Sequence, residues 1–278
     1  MISDTLFRVR LTGNLSELND LIDVTEDHSD QRVVRMRNEL IRRSQKMSLP
    51  VKRLLALAIA MGDSKQKILL HQAQLPGTQG TELRGWEVKI TVAQYLEQYP
   101  QIGEKSAYNE LKDAASALMK CTVTWVEEAR GRGKPTLREI PFTTENEYSQ
   151  GQGYVTVRFH GKIAPFLLGL EREFTKYKLS SAAHFRSMYS WRLMELLAQF
   201  QKTGLVRIDY DEFCDALDAP ESCRKDFGQL RRRVIEPAIA ELQTKNGVEV
   251  EWKGVKVGGR KVSGLEFTFK PSQQGNLF

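Results

Sequence analysis

The feature that most restricts the fold of this chain is a repeat. Val88-Lys-Ile-Thr-Val-Ala-Gln-Tyr95 aligns with Val206-Arg-Ile-Asp-Tyr-Asp-Glu-Phe213. In both segments two apolar residues alternate with polar ones, a capping residue follows, and an aromatic falls where a helix would meet its core. Thr91 and Asp209 are the natural N-caps, with side-chain oxygens that accept from free helix N–H groups. Further on, Tyr108, Leu111 and Ala115 align with Phe227, Leu230 and Val234, the i, i+3, i+7 spacing of one buried helix face. Each helix is followed by a strand ending in tryptophan, Val123-Thr-Trp125 and Val250-Glu-Trp252. A Gly-containing basic turn and a second alternating strand follow each.

Leading helices are expected at residues 50–62 and about 183–202, where apolar residues recur at helical spacing. Each half then runs helix, short strand, short helix, longer helix, basic hairpin, which is the order of a winged helix-turn-helix. The expected fold class is α+β, with two tandem winged helix-turn-helix domains related by the repeat. The bland alternative is two unrelated α+β domains of similar periodicity. Tyr154–Phe159 alternates as a strand and Ile163–Leu170 reads as a helix; both fall to the first domain, with the stretch near residues 172–182 as linker. The expected organisation is an acidic arm at 1–32, a first winged-helix domain at 33–171 that dimerises and makes some DNA contact, a second at 175–271 with the main recognition surface, and a tail at 272–278.

Charge is unevenly placed in this chain. The whole carries +6. Residues 1–30 hold seven carboxylates, Asp4, Glu17, Asp20, Asp23, Glu26, Asp27 and Asp30, against Arg8 and Arg10, a balance of −5 that leaves the remainder at +11. A body so basic attracts a polyanion, because neutralised phosphates release condensed counterions. On the second long helix Phe227, Leu230, Val234, Ala238 and Leu242 form the inward stripe, leaving Lys225, Gln229 and Arg232 outward with Arg224, Arg231 and Arg233 beside them. Such a cluster suits phosphates and guanine edges, and Gln229 suits adenine. Pro237 should kink this helix. On the first long helix Tyr108, Leu111, Ala115 and Leu118 face inward while Lys105, Ser106, Asn109 and Lys112 face out, diluted by Glu104, Glu110 and Asp113. The hairpin turns, with Arg130, Arg132 and Lys134 in one and Lys253, Lys256, Arg260 and Lys261 in the other, are expected on backbone or minor groove. A solvated helix face and a mobile loop are the bland readings of the same charges.

Several chemistries lack their residues. There is no GxxxxGK[ST] loop for a nucleotide phosphate, and His28, His71, His160 and His184 are scattered without a His-x-His pair, which argues against a metal-dependent nicking or priming enzyme. Asp209-x-Asp211 is more simply explained by the N-cap than by a two-metal site. Cys121, Cys214 and Cys223 have neither disulfide-framework nor zinc spacing. No cofactor, metal or catalytic residue is expected. No apolar run approaches the roughly 20 residues of a membrane span, and no secretory signal opens the chain, so a cytoplasmic location is expected.

Residues 174–197 read FTKYKLSSAAHFRSMYSWRLMELL, which resembles the replication initiator (Rep) family of theta-replicating, iteron-containing plasmids, with its FTxY stretch and SxYSxRLYELL-like helix. Phe174, Thr175, Tyr177, Ser187, Tyr189, Ser190, Arg192, Leu193, Glu195, Leu196 and Leu197 match, and Met194 departs at the usual tyrosine. VVRMRNELIRRSQKMSLPVKRLLALA at 33–58 is similar to the family's opening segment, and RRRVIEPAIAEL at 231–242 to its second recognition helix. The resemblance implies binding of directly repeated origin sites as a monomer and repression at an inverted repeat as a homodimer. It further implies a first domain that mainly dimerises, a second that gives most base readout, and partnership with the host initiator and replicative helicase. The apolar segment Leu49–Met61 adds a basis for the dimer. A winged-helix transcription regulator without a replication role is the alternative. The final Gln274-Gly-Asn-Leu277-Phe278 fits Q-x-x-L-F and resembles a sliding-clamp-binding peptide.

Overall fold

The computed structural model describes residues 32–73, 87–127, 134, 136–149, 151–167, 173–259 and 261–270. The first half opens with β1 (Val33–Arg37), α1 (Asn38–Arg42) and the long α2 (Leu49–Ala73). After β2 (Glu87–Thr91) come α3 (Val92–Gln98), a 3-10 turn at Pro100–Ile102 and α4 (Glu104–Leu118). Then follow β3 (Thr122–Glu127), β4 (Thr136–Pro141), β5 (Thr143–Ser149), β6 (Tyr154–Phe159), α5 (Ala164–Leu167), β7 (Phe174–Lys178), α6 (Leu179–Ala183) and α7 (Met188–Ala198). The second half has β8 (Leu205–Asp209), α8 (Tyr210–Ala216), α9 (Glu221–Lys225), α10 (Phe227–Leu230), a π-helical segment at Arg231–Ile235, α11 (Glu236–Asn246), β9 (Glu249–Val255) and β10 (Gly264–Lys270).

Two three-stranded antiparallel sheets carry the repeat. Their strand orders are β2-β6-β5 and β8-β10-β9. In each, the strand that precedes the short helix pairs with the second strand of the wing hairpin, β2 with β6 and β8 with β10, which is winged-helix topology. The alternation read from the sequence does its work here: Val88 and Ile90 of β2 and Val206 and Ile208 of β8 are buried, with polar neighbours turned out. The halves differ in one respect that the repeat concealed. Among the described residues β3 and β4 pair only with each other, and β5–β6 take the wing positions beside β2. The hairpin bearing Lys134 is therefore an insertion between α4 and the wing, not the counterpart of β9–β10.

Local chemistry explains the helix boundaries. Thr91 closes a capping box on α3: its hydroxyl accepts from the Gln94 N–H at 3.2 Å while Gln94 Oε1 accepts from the Thr91 N–H at 2.9 Å. Asp209 occupies the equivalent position but makes no side-chain cap. There the Ser263 carbonyl takes the Tyr210 N–H at 3.0 Å. Gly247, at φ 64°, ends α11 in the left-handed conformation that favours glycine.

Two further expectations are corrected. The stretch near 172–182, expected as the linker, holds regular structure: Phe174–Lys178 pairs with Val33–Arg37 in an antiparallel ribbon and runs into α6. The single helix expected at 183–202 is two, separated at residues 184–187, where Ser187 caps α7 by accepting from the Tyr189 N–H at 3.1 Å. In the apolar Leu49–Met61 stretch, Val51, Leu54, Leu55, Leu57 and Ile59 are buried in the chain's own core, and Leu49, Ala60 and Met61 pack half-buried against it. No described helix is long and apolar enough to cross a membrane.

The core runs without a break through both halves, and charged groups cross the joint inside it. Fully buried Arg192 of α7 donates to the Ile41 carbonyl at 2.8 Å and the Arg43 carbonyl at 2.7 Å, beside the end of α1. Its Nε donates to the Ala216 carbonyl at 2.6 Å, at the end of α8. One guanidinium thus satisfies orphan carbonyls at helix ends from both halves. Its charge is met by Glu195 at 3.3 Å, whose other oxygen receives Lys52 Nζ at 2.8 Å and the Tyr177 hydroxyl at 2.7 Å. Burial holds the Lys52 ammonium below its ordinary pKa, with Glu195 pulling the other way. Across the same seam Asp218 accepts from Ser44 and from the Gln45 N–H.

Candidate nucleic-acid interface

The second half places its cations in two layers. Asp226 ends α9 and starts α10 afresh, its carboxylate accepting from the Gly228 N–H at 2.7 Å and the Gln229 N–H at 3.2 Å. Arg224 and Lys225 therefore belong to the preceding short helix. Arg224 is turned inward, with Nε on the Ala219 carbonyl at 3.0 Å, Nη2 on the Cys214 carbonyl at 3.0 Å and Nη1 on Asp215 at 2.6 Å. Its guanidinium ties α8 to α9. Tyr210 supports the same corner by donating to the Cys223 and Arg224 carbonyls, and burial first, then Cys214 beside it, pushes its phenol up to about 12. Lys225 is exposed and paired with Glu221 at 3.1 Å.

Beyond Asp226 the chain is helical from Phe227 to Asn246, interrupted by the π segment. Proline at 237 has no N–H for the Arg233 carbonyl, and its ring crowds that carbonyl in a regular α-helix. The Glu236 N–H instead bonds the Arg231 carbonyl five residues back. The bulge lets Leu230, Val234, Ala238 and Leu242 all reach the core. Arg231, Arg232 and Arg233 stand consecutively exposed, and Gln229 is half-buried at the helix start. Arg231 is paired with Glu236 at 3.3 Å; Arg232 has no ion-pair partner among the described residues. Phe227 and Trp252 meet edge to face behind this surface, where Gly254 leaves room, since a Cβ there would come within 3.4 Å of the Phe227 ring.

On the β9–β10 hairpin Lys256 and Lys261 are exposed, and Val257 at the tip is 78 % exposed. Lys253 is held by Glu266 at 2.7 Å, which also takes Arg207 at 2.8 Å. Lys253 and then Arg207 keep the Glu266 carboxyl below its usual range. Arg260 lies outside the described residues.

In the first half Lys105, Ser106, Asn109 and Lys112 are all exposed on one face of α4, and Lys112 sits 5.1 Å from the Tyr148 ring centroid. Tyr108 is only half-buried, packed edge to face on Tyr148, and Ala107 joins Leu111 and Ala115 inside. The expected dilution by acidic residues is weaker than the sequence suggests. Glu110 is turned inward, bound by Arg53 at 3.1 Å and the Tyr95 hydroxyl at 2.8 Å, so only Glu104 and Asp113 share the outer surface. Lys134 is exposed, while Arg130 and Arg132 lie outside the described residues, as do Gln274, Leu277 and Phe278 of the tail and the acidic N-terminal arm. Among the described residues no group of three or more His, Cys, Asp and Glu side chains is placed to hold a metal ion, and the three cysteines are buried and free.

Two winged helices in tandem, each with an outward polar or basic helix face and a hairpin, define a class of duplex-binding architecture. The chain belongs to the initiator replication protein family: residues 33–198 match the model described as "Initiator Replication protein, WH1" and residues 209–269 that described as "Initiator Rep protein, WH2". It is 28 % identical over 282 residues to the PI protein of Escherichia coli, covering 89 % of this chain and 86 % of that protein. It is also 28 % identical over 113 residues to a probable replication protein of Bifidobacterium longum, covering 41 % and 37 % of the two chains. The crystal structure of a Pi initiator protein in complex with iteron DNA superposes with a TM-score of 0.62 at 23 % identity, covering 88 % of this chain and 99 % of that one.

Proposed function

We propose that this initiator binds directly repeated plasmid origin sites and reads their bases chiefly with the helix that starts at Asp226. The observation that carries the reading is the run of three exposed arginines at the π segment, beside Gln229 and opposite a fully buried core stripe. Arginine pairs in two-pronged fashion with guanine and glutamine with adenine, so Arg232 and Gln229 are the base readers. Lys225, Arg231, Arg233, Lys253, Lys256, Arg260 and Lys261 serve the phosphates, and Arg224 holds the corner that aims them. The α4 face, with Lys105, Ser106, Asn109 and Lys112, makes a second groove contact, and Arg130, Arg132 and Lys134, which fall between β3 and β4 in the sequence, add phosphate contacts. That relatives include a Pi protein crystallised with iteron DNA supports the ligand.

In the same reading the protein acts in the cytoplasm without catalysis of its own. The monomer engages the repeats, a homodimer through the first domain represses an inverted repeat, and the host initiator and replicative helicase are recruited to the melted origin. Footprinting the intact protein on DNA flanking its gene, with Arg232→Ala in parallel, is the test. Protection of spaced direct repeats, weakened by about 1–3 kcal/mol in the variant at matched salt, is expected. Protection of a lone palindrome, or a variant with unchanged affinity and specificity, rejects it.

A further inference from the structure

The corner between α6 and α7 receives polar side chains from both halves of the chain. From the first half, Gln101 donates to the Ala183 carbonyl at 2.7 Å and buried Arg53 of α2 donates to the Phe185 carbonyl at 3.3 Å. From the second half, Asn246 at the end of α11 donates to the Ser181 carbonyl at 2.8 Å. Glu241 of α11 spreads its carboxylate over the corner, accepting from the Arg186 N–H at 2.7 Å, the Ser187 N–H at 3.2 Å and the Ser190 hydroxyl. The Phe185 carbonyl and the Arg186 N–H are opposite sides of one planar peptide unit. Arg53 in turn holds Glu110 of α4 at 3.1 Å. A continuous line therefore runs from α4 through Glu110, Arg53, that peptide unit and Glu241 to α11. Each bond in it strengthens the next, because a cation pulls on the carbonyl while a carboxylate pulls on the N–H.

We propose that this line is the gauge between the two DNA-facing helices: Arg53 and Glu241 are positioning residues that fix how far apart, and at what angle, the α4 face and the helix starting at Asp226 meet one duplex. This rests on the reading in which both faces enter grooves. The physical basis is directionality. α4 packs on α2 and α11 on α7 through faces rich in alanine, with Ala107, Ala114 and Ala115 on one and Ala238 on the other. Such short side chains make shallow ridges, and apolar burial has no preferred direction, so packing alone sets the register of these helices less sharply than hydrogen bonds to a rigid peptide do. On the DNA side the register matters, since one added base pair moves a block of contacts by about 3.4 Å and turns it by about 35°.

Synthetic duplexes test the gauge, made from the footprinted site with the base pairs under the α4 face and those under the Asp226 helix at their native separation or one base pair closer or further. The intact chain is expected to prefer the native separation by at least about tenfold, because a displaced block loses base contacts. Glu241→Ala leaves the buried Lys52–Glu195–Arg192 network in place. It should cut that preference to about threefold or less, while affinity for random duplex, carried by phosphates, changes less than about twofold. Glu241→Gln, whose amide oxygen still accepts from the Arg186 N–H, should keep most of the preference. Arg53→Lys cannot hold Glu110 and the Phe185 carbonyl with one planar group and should act like Glu241→Ala. The double variant should lose no more than either single one, because links in series fail once. A preference that survives Glu241→Ala, losses that add in the double variant, or an intact chain indifferent to the separation overturns the proposal. Protection of the Asp226-helix block alone, unaltered by Lys105→Ala/Asn109→Ala, is instead the failure of the α4 groove reading, and the gauge falls with it.

Discussion

Replacing Arg192 by methionine tests the idea that one buried cation holds the two halves together. The residue is 1 % exposed and its side chain donates four hydrogen bonds, three to backbone carbonyls of Ile41, Arg43 and Ala216 and one to Glu195. Methionine restores most of the volume but none of the donors. Leaving a buried carboxylate with part of its counter-charge removed costs about 3–5 kcal/mol in comparable sites, and an abandoned buried carbonyl costs about 1–3 kcal/mol before water or chain movement relieves it. Lys52 still faces Glu195 at 2.8 Å, which keeps the loss toward the lower end. A destabilisation of about 4 kcal/mol is expected, a large share of the roughly 5–15 kcal/mol that a folded domain has. Arg192→Lys should recover less than half, since an ammonium cannot span three carbonyls in the plane of a guanidinium. Urea unfolding followed by tryptophan fluorescence measures both, given that Trp191 donates to Tyr177 at 3.1 Å beside the site. A loss under about 1 kcal/mol for Arg192→Met would refute the reasoning that orphaned carbonyls and a half-paired Glu195 dominate this joint.

Removing Lys253, Lys256, Arg260 and Lys261 together, or Arg130, Arg132 and Lys134, should weaken binding to cognate and random duplex almost equally, with the log–log salt slope falling by about one for each phosphate no longer engaged; an unchanged slope means these charges are only solvated. Glu266 is held low by Lys253 and Arg207, so its pairing with both is intact above the ordinary carboxylate value of 4.5 and is lost as pH falls through the lowered one. A carboxyl NMR titration should place the Glu266 midpoint below 4.5, and a midpoint at or above it contradicts the two ion pairs. We also expect the intact chain to bind bacterial sliding clamp weakly through Gln274, Leu277 and Phe278; equal affinity after removal of Leu277 and Phe278, or none in either form, eliminates that interaction.

Most of the fold was legible because it repeats. Val88, Ile90, Val206 and Ile208 alternate, and two helices carry their apolar residues at matching offsets, so both three-stranded sheets follow from local pattern. The inserted β3–β4 ribbon was not legible, since its Val123-Thr-Trp125 has the same local pattern as the true wing strand Val250-Glu-Trp252 and only pairing distinguishes them. The inward turn of Arg224 and Glu110 was equally hidden, because their partners Asp215, Arg53 and Tyr95 lie on other helices. Asp226 did carry a local signal: Asp226-Phe-Gly-Gln229 has the spacing of an N-cap with glutamine at the third helical position, and it separates Lys225 from the helix that follows.

The π segment was encoded too, in the phase of the apolar stripe. Leu230, Val234, Ala238 and Leu242 recur every four residues and are all buried. In an α-helix a four-residue step overshoots a full turn by about 40°, so three steps would carry the last residue about 120° round from the first. One residue added to a turn takes back about 100° of that drift, which is what the bond from the Glu236 N–H to the Arg231 carbonyl supplies. Proline at 237 favours the wider turn by forbidding the regular bond at Arg233. A core that needs four-residue spacing on both sides of the bulge therefore dictates the direction of Arg231, Arg232 and Arg233, and the direction of the arginines is set by the buried face rather than by the exposed one.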